Sequence, residues 1–399
     1  MTHPDGAAPT VSPGLRGFRS ASESGGGRPR SWSRAARVAR AAAAAGLVVR
    51  AGAPAAAQRP DSAAAAPRPR WTVLPVLGSA PETDLQVGGM LLRVSRPRGA
   101  SATSRPTTNR LLARLTTRNQ FMLEYERDAW FAEDRWRLLT NVEYSRFPLA
   151  YYGIGPDSPA SAEELYTPST INTILGVQRR FRRGLYAGIG YQTWRTWMRG
   201  VAADGELVRG TVPGSRGGTV AALELSLIAD ARDNIYAPRT GHFVTAQWAP
   251  AFPAIGSQFT YTRTLLDARV YRPLRAGFTF AAKGLFEDIG GTAPFERLPT
   301  IGSSTFMRGY ERGRYRDGTL GAAQVELRRD LFWRVAGAVW GGAGSVAPRP
   351  GALANARLLP TFGVGGRWYL FPRERIAARA DLAFGRGATG FYLSIGEAF

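Results

Sequence analysis

The sequence contains no cysteine, so disulfide frameworks, thiolate metal sites, iron–sulfur clusters and thiol nucleophiles are all excluded. Only two histidines are present, His3 and His242, which rules out a multi-histidine metal centre or an HExxH protease. Lysine is almost as scarce. Lys283 is the single one, and arginine therefore carries nearly all of the formal net charge of +22. Long apolar runs are also missing; those present, such as Ala41 to Val49, are too short for a helix to cross a bilayer. There is no GxxxxGK[ST] run, and Gly88-Gly89, Gly188 to Gly190 and Gly363 to Gly366 fall inside strand-like segments. There they suit curvature better than phosphate binding, and no cofactor is indicated.

Residues 1–70 are low-complexity Ala, Gly, Ser, Pro and Arg without helical or strand period. Within them Arg28, Arg30, Arg34, Arg37 and Arg40 precede the apolar run 41–49, and Pro54-Ala55-Ala56-Ala57-Gln58 follows. A basic region, a short apolar region and an A-x-A site in that order read as a secretory signal over 1–57 with a long basic region, cut after Ala57; 58–70 is then a linker. Removal of 1–57 deletes eight arginines and two acids, taking the balance from +22 to +16. That excess suits lipopolysaccharide phosphates or acidic ligands.

From Trp71 to Phe399 the chain becomes a series of roughly ten-residue segments of period two, broken by Gly, Pro, Asp and Asn clusters. Ala323, Val325 and Leu327 alternate with Gln324, Glu326 and Arg328; Leu223, Leu225 and Leu227 alternate with Glu224 and Ser226. At the end, Phe391, Leu393, Ile395 and Phe399 fall on one side. Alternation alone does not say which face looks outward. The export signal, strands long enough to cross a bilayer at a tilt, aromatics near strand ends, and alternating short and long connections point to a transmembrane antiparallel β-barrel, apolar outside and charged within. Sixteen segments can be placed. With both ends periplasmic, the long connections 148–168, 201–217, 289–317 and 346–356 fall outside the cell. The first segment, 71–78, contains Pro75, which suits an edge or seam strand.

The run Leu298-Pro299-Thr300-Ile301-Gly302 with Phe306-Met307-Arg308-Gly309-Tyr310 resembles the long-loop motif of the BamA/TamA-type outer-membrane surface-antigen family, which follows the eleventh strand. Gln324 to Arg328 resembles that family's next strand. Arg232-Asp233-Asn234 with Pro238 to Gly241 resembles its periplasmic turn, Leu74-Pro75-Val76 with Pro81 to Asp84 the opening of its barrel-only members, and Phe391 to Phe399 its C-terminal strand. The resemblance implies a sixteen-stranded outer-membrane barrel with a long, inward-folded extracellular loop. In it a latch of Arg308, Gly309, Tyr310 and Glu326 would hold the loop to the wall. Where the family's following strand reads F-x-D-x-G, this chain reads Trp340-Gly341-Gly342-Ala343-Gly344, which implies one carboxylate fewer for Arg308. Residues 58–70 are too few for the periplasmic POTRA domains of the family's assembly factors.

The function implied is outer-membrane protein or envelope assembly or translocation, carried out by a monomer. Its partners would be outer-membrane lipid and lipopolysaccharide, client outer-membrane proteins or periplasmic chaperones. A weakly paired seam between the first strand and a glycine-containing last strand (Gly390, Gly396) could open to template another strand. Two other readings compete. Sixteen strands can enclose an anion-selective channel lined by Arg182, Arg195, Arg328 and Arg367. A barrel hydrolase would have to use His242 with Asp230 or Asp233. Nucleic acid is not indicated as a partner, because the arginines are spread over many strands and not gathered with aromatics on one face.

Overall fold

In a computed structural model, residues 70–95 and 104–399 are described; the proposed signal segment 1–57 and the linker up to residue 69 lie outside that range. Sixteen long strands form one closed antiparallel sheet. They are β1 (Arg70–Ala80), β2 (Asp84–Ser95), β3 (Thr107–Thr116), β4 (Phe121–Phe131), β5 (Trp136–Arg146), β6 (Glu164–Arg182), β7 (Leu185–Val201) and β8 (Gly217–Asp230). The second half comprises β9 (Gly241–Ala251), β10 (Thr260–Pro273), β11 (Phe278–Thr292), β12 (Thr319–Phe332), β13 (Val335–Ala347), β14 (Leu359–Phe371), β15 (Ile376–Gly385) and β16 (Ala388–Ile395). Each strand pairs with the next in sequence, and β16 returns to β1. Closure gives every strand a neighbour on both sides, which an all-β chain needs in hydrocarbon.

Side-chain parity sets the orientation. On β12, Val325 is 47% exposed while Gln324 and Glu326 are 1% exposed. Ile189, Leu225, Leu227, Val339, Phe362 and Val364 likewise face outward. An apolar exterior around a charged interior reverses the order of a water-soluble sandwich and matches a wall bathed by acyl chains.

Connections at one end are mostly short, such as Arg183-Gly184 and Trp333-Arg334, whereas 147–163, 202–216, 293–318 and 348–358 are gathered at the other. By the loop asymmetry of outer-membrane barrels the long-loop end is extracellular. The sequence expectation places β6 from residue 169, but the strand begins at Glu164. Pro168 is accommodated at a register shift between Thr167 and Pro168, so a residue that reads as a loop signal sits at a bulge. The extra turn of strand pairs with a short segment, Leu149–Tyr151, inside the expected loop.

The seam differs from the other interfaces. β1 pairs with β2 along its whole length, Pro75 standing opposite Gly89, yet it meets β16 in a single register pair, Ser79 opposite Leu393. Gly78, Ser79 and Ala80 are buried there, whereas Trp71, Val73 and Leu77, nearer the periplasm, are exposed.

Phe399 departs from the expected outer face. Phe391 and Ile395 are on that face, 38% and 50% exposed, and Leu393 is half-buried. The strand stops at Ile395, however, and the chain turns at Gly396 (φ 88°). Ala398 and Phe399 then pack inside the barrel against Tyr271 and Ala281, with the Arg328 guanidinium 5.4 Å from the Phe399 ring centre. A cation over the ring and burial among apolar groups oppose a return to the wall.

Candidate functional site in the barrel lumen

The connection 293–318 descends onto the inner faces of β12 to β16. Arg308 lies at its turn, fully buried. One guanidinium nitrogen, Nη2, is 2.5 Å from Glu326 Oε2 on β12; the other, Nη1, is 2.5 Å from Asp381 Oδ2 on β15. The guanidinium plane covers the Trp340 ring of β13 at 3.6 Å from its centre. Backbone contacts fix the flanking residues. Met307 N–H donates to Gln324 Oε1 (3.0 Å), Gly309 N–H to the Tyr392 hydroxyl (2.9 Å), and the Thr361 hydroxyl to the Arg308 carbonyl. Tyr310 donates its hydroxyl to the Pro360 carbonyl (2.7 Å) and accepts from Arg386 N–H (2.9 Å).

Gly309 is the residue the turn requires. Its φ is +111°, and a Cβ there would stand 2.8 Å from the Phe384 carbonyl carbon. All four residues of the anticipated latch, Arg308, Gly309, Tyr310 and Glu326, meet in this place.

Arg308 has one carboxylate more than its sequence motif implies. The family's aspartate position is occupied by Gly342, but Asp381 arrives from two strands further round the barrel and gives Arg308 its second acceptor. Asp381 also receives Arg367 Nη1 at 2.7 Å, and Arg367 Nη2 lies 3.0 Å from Glu326 Oε1. Arg328 Nε is 2.8 Å from Glu326, and Glu397 joins Arg367 (3.2 Å) to Arg328 (3.7 Å). Arg379 approaches Asp381 at 3.4 Å and donates to the Ser304 carbonyl at 2.7 Å. The result is one network of four guanidiniums and three carboxylates joining the loop, the wall and the inturned tail. Gly365 makes it possible: a Cβ would fall 2.0 Å from Asp381 Oδ1 and 2.5 Å from Arg367 Nη1.

Alternation signalled that Asp381 faces inward, between outward Ala380 and Leu382. That it lies level with Arg308 depends on the register of three successive ladders, which no single segment encodes.

Above the network, the extracellular mouth is covered by loop-to-loop contacts. Phe295 is fully buried, edge-on to Tyr151 and Tyr166 at 5.2 Å each, and packs with Leu207 and Val212. Glu164 accepts from the backbone N–H groups of Glu206 (2.7 Å) and Leu207 (3.1 Å), and Phe295 N–H donates to the Pro213 carbonyl (2.8 Å). Beside Phe295, burial pushes the Glu296 carboxyl up to about 7 despite the opposing influence of Arg316, Thr196 and Arg297.

The residues of the two competing readings are dispersed. His242 is exposed at the short-turn end and, among the described residues, makes no side-chain hydrogen bond. Asp230 is engaged by Arg232, and Asp233 by Arg375 and the turn backbone. Of the arginines considered for a pore, Arg328 and Arg367 belong to the network, while Arg195 lies exposed over the Trp197 ring (5.1 Å).

Family comparison agrees with this geometry. Residues 98–399 match the model of the Omp85 superfamily domain. The chain belongs to the Omp85 superfamily. It is accordingly a protein of the bacterial outer membrane. Among solved structures the barrel is similar to BamA from Haemophilus ducreyi lacking POTRA domains 1–3, at 13% identity and a TM-score of 0.60, over 82% of this chain and 70% of that one. CdiB from Acinetobacter baumannii (12% identity, TM-score 0.54) is matched over 81% of this chain and 59% of its own, and CdiB from Escherichia coli (10%, 0.54) over 82% and 63%. This chain thus spans less than two thirds of either CdiB chain. At these identities the likeness shows the barrel fold alone. No curated protein matches in sequence.

Removing Glu326 takes an acceptor from three buried arginines, so Glu326→Ala should destabilise the folded barrel by about 3–5 kcal/mol. Asp157→Ala, which breaks the exposed 3.4 Å pair with Arg357, should cost less than about 1 kcal/mol. Denaturant unfolding in detergent micelles measures both, and equal losses would contradict the role given to the network. The Glu296 carboxyl generates a second expectation. An undocked loop ionises near 4.5 and the docked one near 7, so the docked form holds more protons in that window and docking weakens as pH rises through it. Trypsin cleavage within 293–318, normalised to Glu296→Gln at each pH, should therefore rise at least several-fold from pH 5 to pH 7.5. A flat ratio would remove Glu296 from the docking balance.

Proposed function

We propose that this barrel acts in assembling or translocating outer-membrane or envelope proteins, with the β1–β16 seam as the place where the wall yields to a client strand. The observation that carries the reading is the seam's asymmetry. Ser79 opposite Leu393 is the single pair across it, while the periplasmic half of β1 extends beyond the point where β16 leaves the wall. An unpaired strand edge is a ready template for another strand. Membership of the Omp85 superfamily, and the likeness of the fold to BamA and CdiB barrels, support a role of this class.

In this reading the latch gives the moving edge a fixed support. Arg308 ties the loop to β12 and β15, Tyr392 of β16 holds Gly309, and Glu397 ties the inturned tail to Arg367. A rigid inner column lets β1 separate from β16 without collapse of the lumen. The seating of the 293–318 connection on the inner wall also supports an assembly role over a wide aqueous channel.

The absence of native cysteine makes the test clean. A Ser79→Cys/Leu393→Cys barrel, oxidised to lock the seam, should lose most of its ability to accelerate insertion of a small outer-membrane barrel into liposomes, and reductant should restore it. Full activity with the seam locked would refute lateral opening.

A further inference from the structure

Two grooves indent the lipid-facing wall near its periplasmic end, and both are built on the same plan. In the first, Trp136, Arg179 and Ala187 stand opposite one another on β5, β6 and β7. In the second, Phe278, Arg329 and Gly337 do so on β11, β12 and β13. Each guanidinium lies against the neighbouring aromatic ring, 5.4 Å from the centre of Trp136 and 4.8 Å from that of Phe278. Beyond each arginine the surface turns apolar and hollow. The first groove, of about 890 Å³, continues past Leu227 and Leu266; the second, of about 550 Å³, is deepened by Gly337 and Gly366, which stand opposite each other.

Both arginines are exposed, and among the described residues neither forms an ion pair. This sets them apart from the arginines of the same rim that meet carboxylates, such as Arg239 with Asp330 and Arg375 with Asp233. They lie three or four residues above the turns at Arg183-Gly184 and Trp333-Arg334, so about 10 Å along the strand from the periplasmic rim. A guanidinium at that depth on a lipid-facing wall needs an anion, and stacking on an aromatic ring leaves its N–H edges free for one.

We propose that each groove binds an anionic glycerophospholipid of the periplasmic leaflet. Its phosphate would meet Arg179 or Arg329, and one acyl chain would lie in the apolar hollow above. The guanidinium selects the phosphate, and a headgroup without its own cation leaves that contact uncontested. The hollow requires a chain, which distinguishes the ligand from a free anion. The periplasmic position distinguishes it from the lipid A of the outer leaflet.

Native mass spectrometry of the full barrel released from detergent tests this with added phosphatidylglycerol, phosphatidylcholine and inorganic phosphate. Phosphatidylglycerol adducts should exceed phosphatidylcholine adducts at least threefold and survive millimolar phosphate. Occupancy should fall at least threefold in Arg179→Gln/Arg329→Gln, checked as folded by heat-modifiable gel migration, and return in Arg179→Lys/Arg329→Lys. Equal retention of the two phospholipids, displacement by phosphate, or unchanged adducts in the glutamine variant would each overturn the proposal. The comparison of lipids on the unmodified barrel decides even if the glutamine variant does not fold.

Discussion

Two carboxylates shared among four guanidiniums organise the barrel interior. Glu326 and Asp381 are fully buried, and each accepts from Arg308 of the loop and from at least one arginine of the wall. Burying such ions is costly, and the pairs offset that cost only while every member keeps its partners. The arrangement therefore behaves as a unit. The loop turn, the seating of Trp340, the glycine at 365 and the inward direction of the last four residues are all conditions for its being complete.

This interdependence connects regions far apart in sequence. Arg308 belongs to an extracellular connection, Glu397 to the tail that leaves the wall at Gly396, and Tyr392 to the strand that meets β1 at the seam. The seam is thus the weakly paired boundary of a strand whose inner face is firmly tied. Weak pairing outside and strong tethering inside are compatible because they use different faces of β16: backbone groups at its edge, and side chains directed to the lumen.

Much of the architecture was legible because it rests on local rules. Alternation located sixteen strands, and connection lengths separated the two ends of the barrel; Arg308, Gly309 and Tyr310 stood out through their resemblance to the surface-antigen family's loop motif. What stayed hidden depended on register or on tertiary closure. Pro168 signals a loop wherever bulges are ignored, yet β6 carries it through by shifting register. Phe399 continues the period of Phe391 and Ile395, and periodicity gives no warning that Gly396 turns it inward toward Arg328. The second partner of Arg308 was missed for a related reason. The carboxylate absent at Gly342 is supplied by Asp381, whose level in the barrel depends on the summed registers of β13, β14 and β15.

Arginine can serve both inside and outside this wall because its surroundings differ. In the lumen, guanidiniums such as those of Arg308 and Arg367 are held by fixed carboxylates, each bridging Glu326 and Asp381 through its two terminal nitrogens. On the outer surface Arg179 and Arg329 have an aromatic ring beneath them and, among the described residues, no ion pair. A flat, always-charged group suits both situations, since stacking satisfies its face and leaves its edge to whatever anion the surroundings provide. A lysine ammonium would fit the inner role poorly, because it is a point donor without a fork. The one lysine of the chain illustrates the difference. Lys283 contacts a single carboxylate, Asp267 at 3.3 Å, with its ammonium over the Phe306 ring, and so stands beside the network without joining it. The capacity of Glu326 and Asp381 to hold several partners at once thus depends on those partners being arginines.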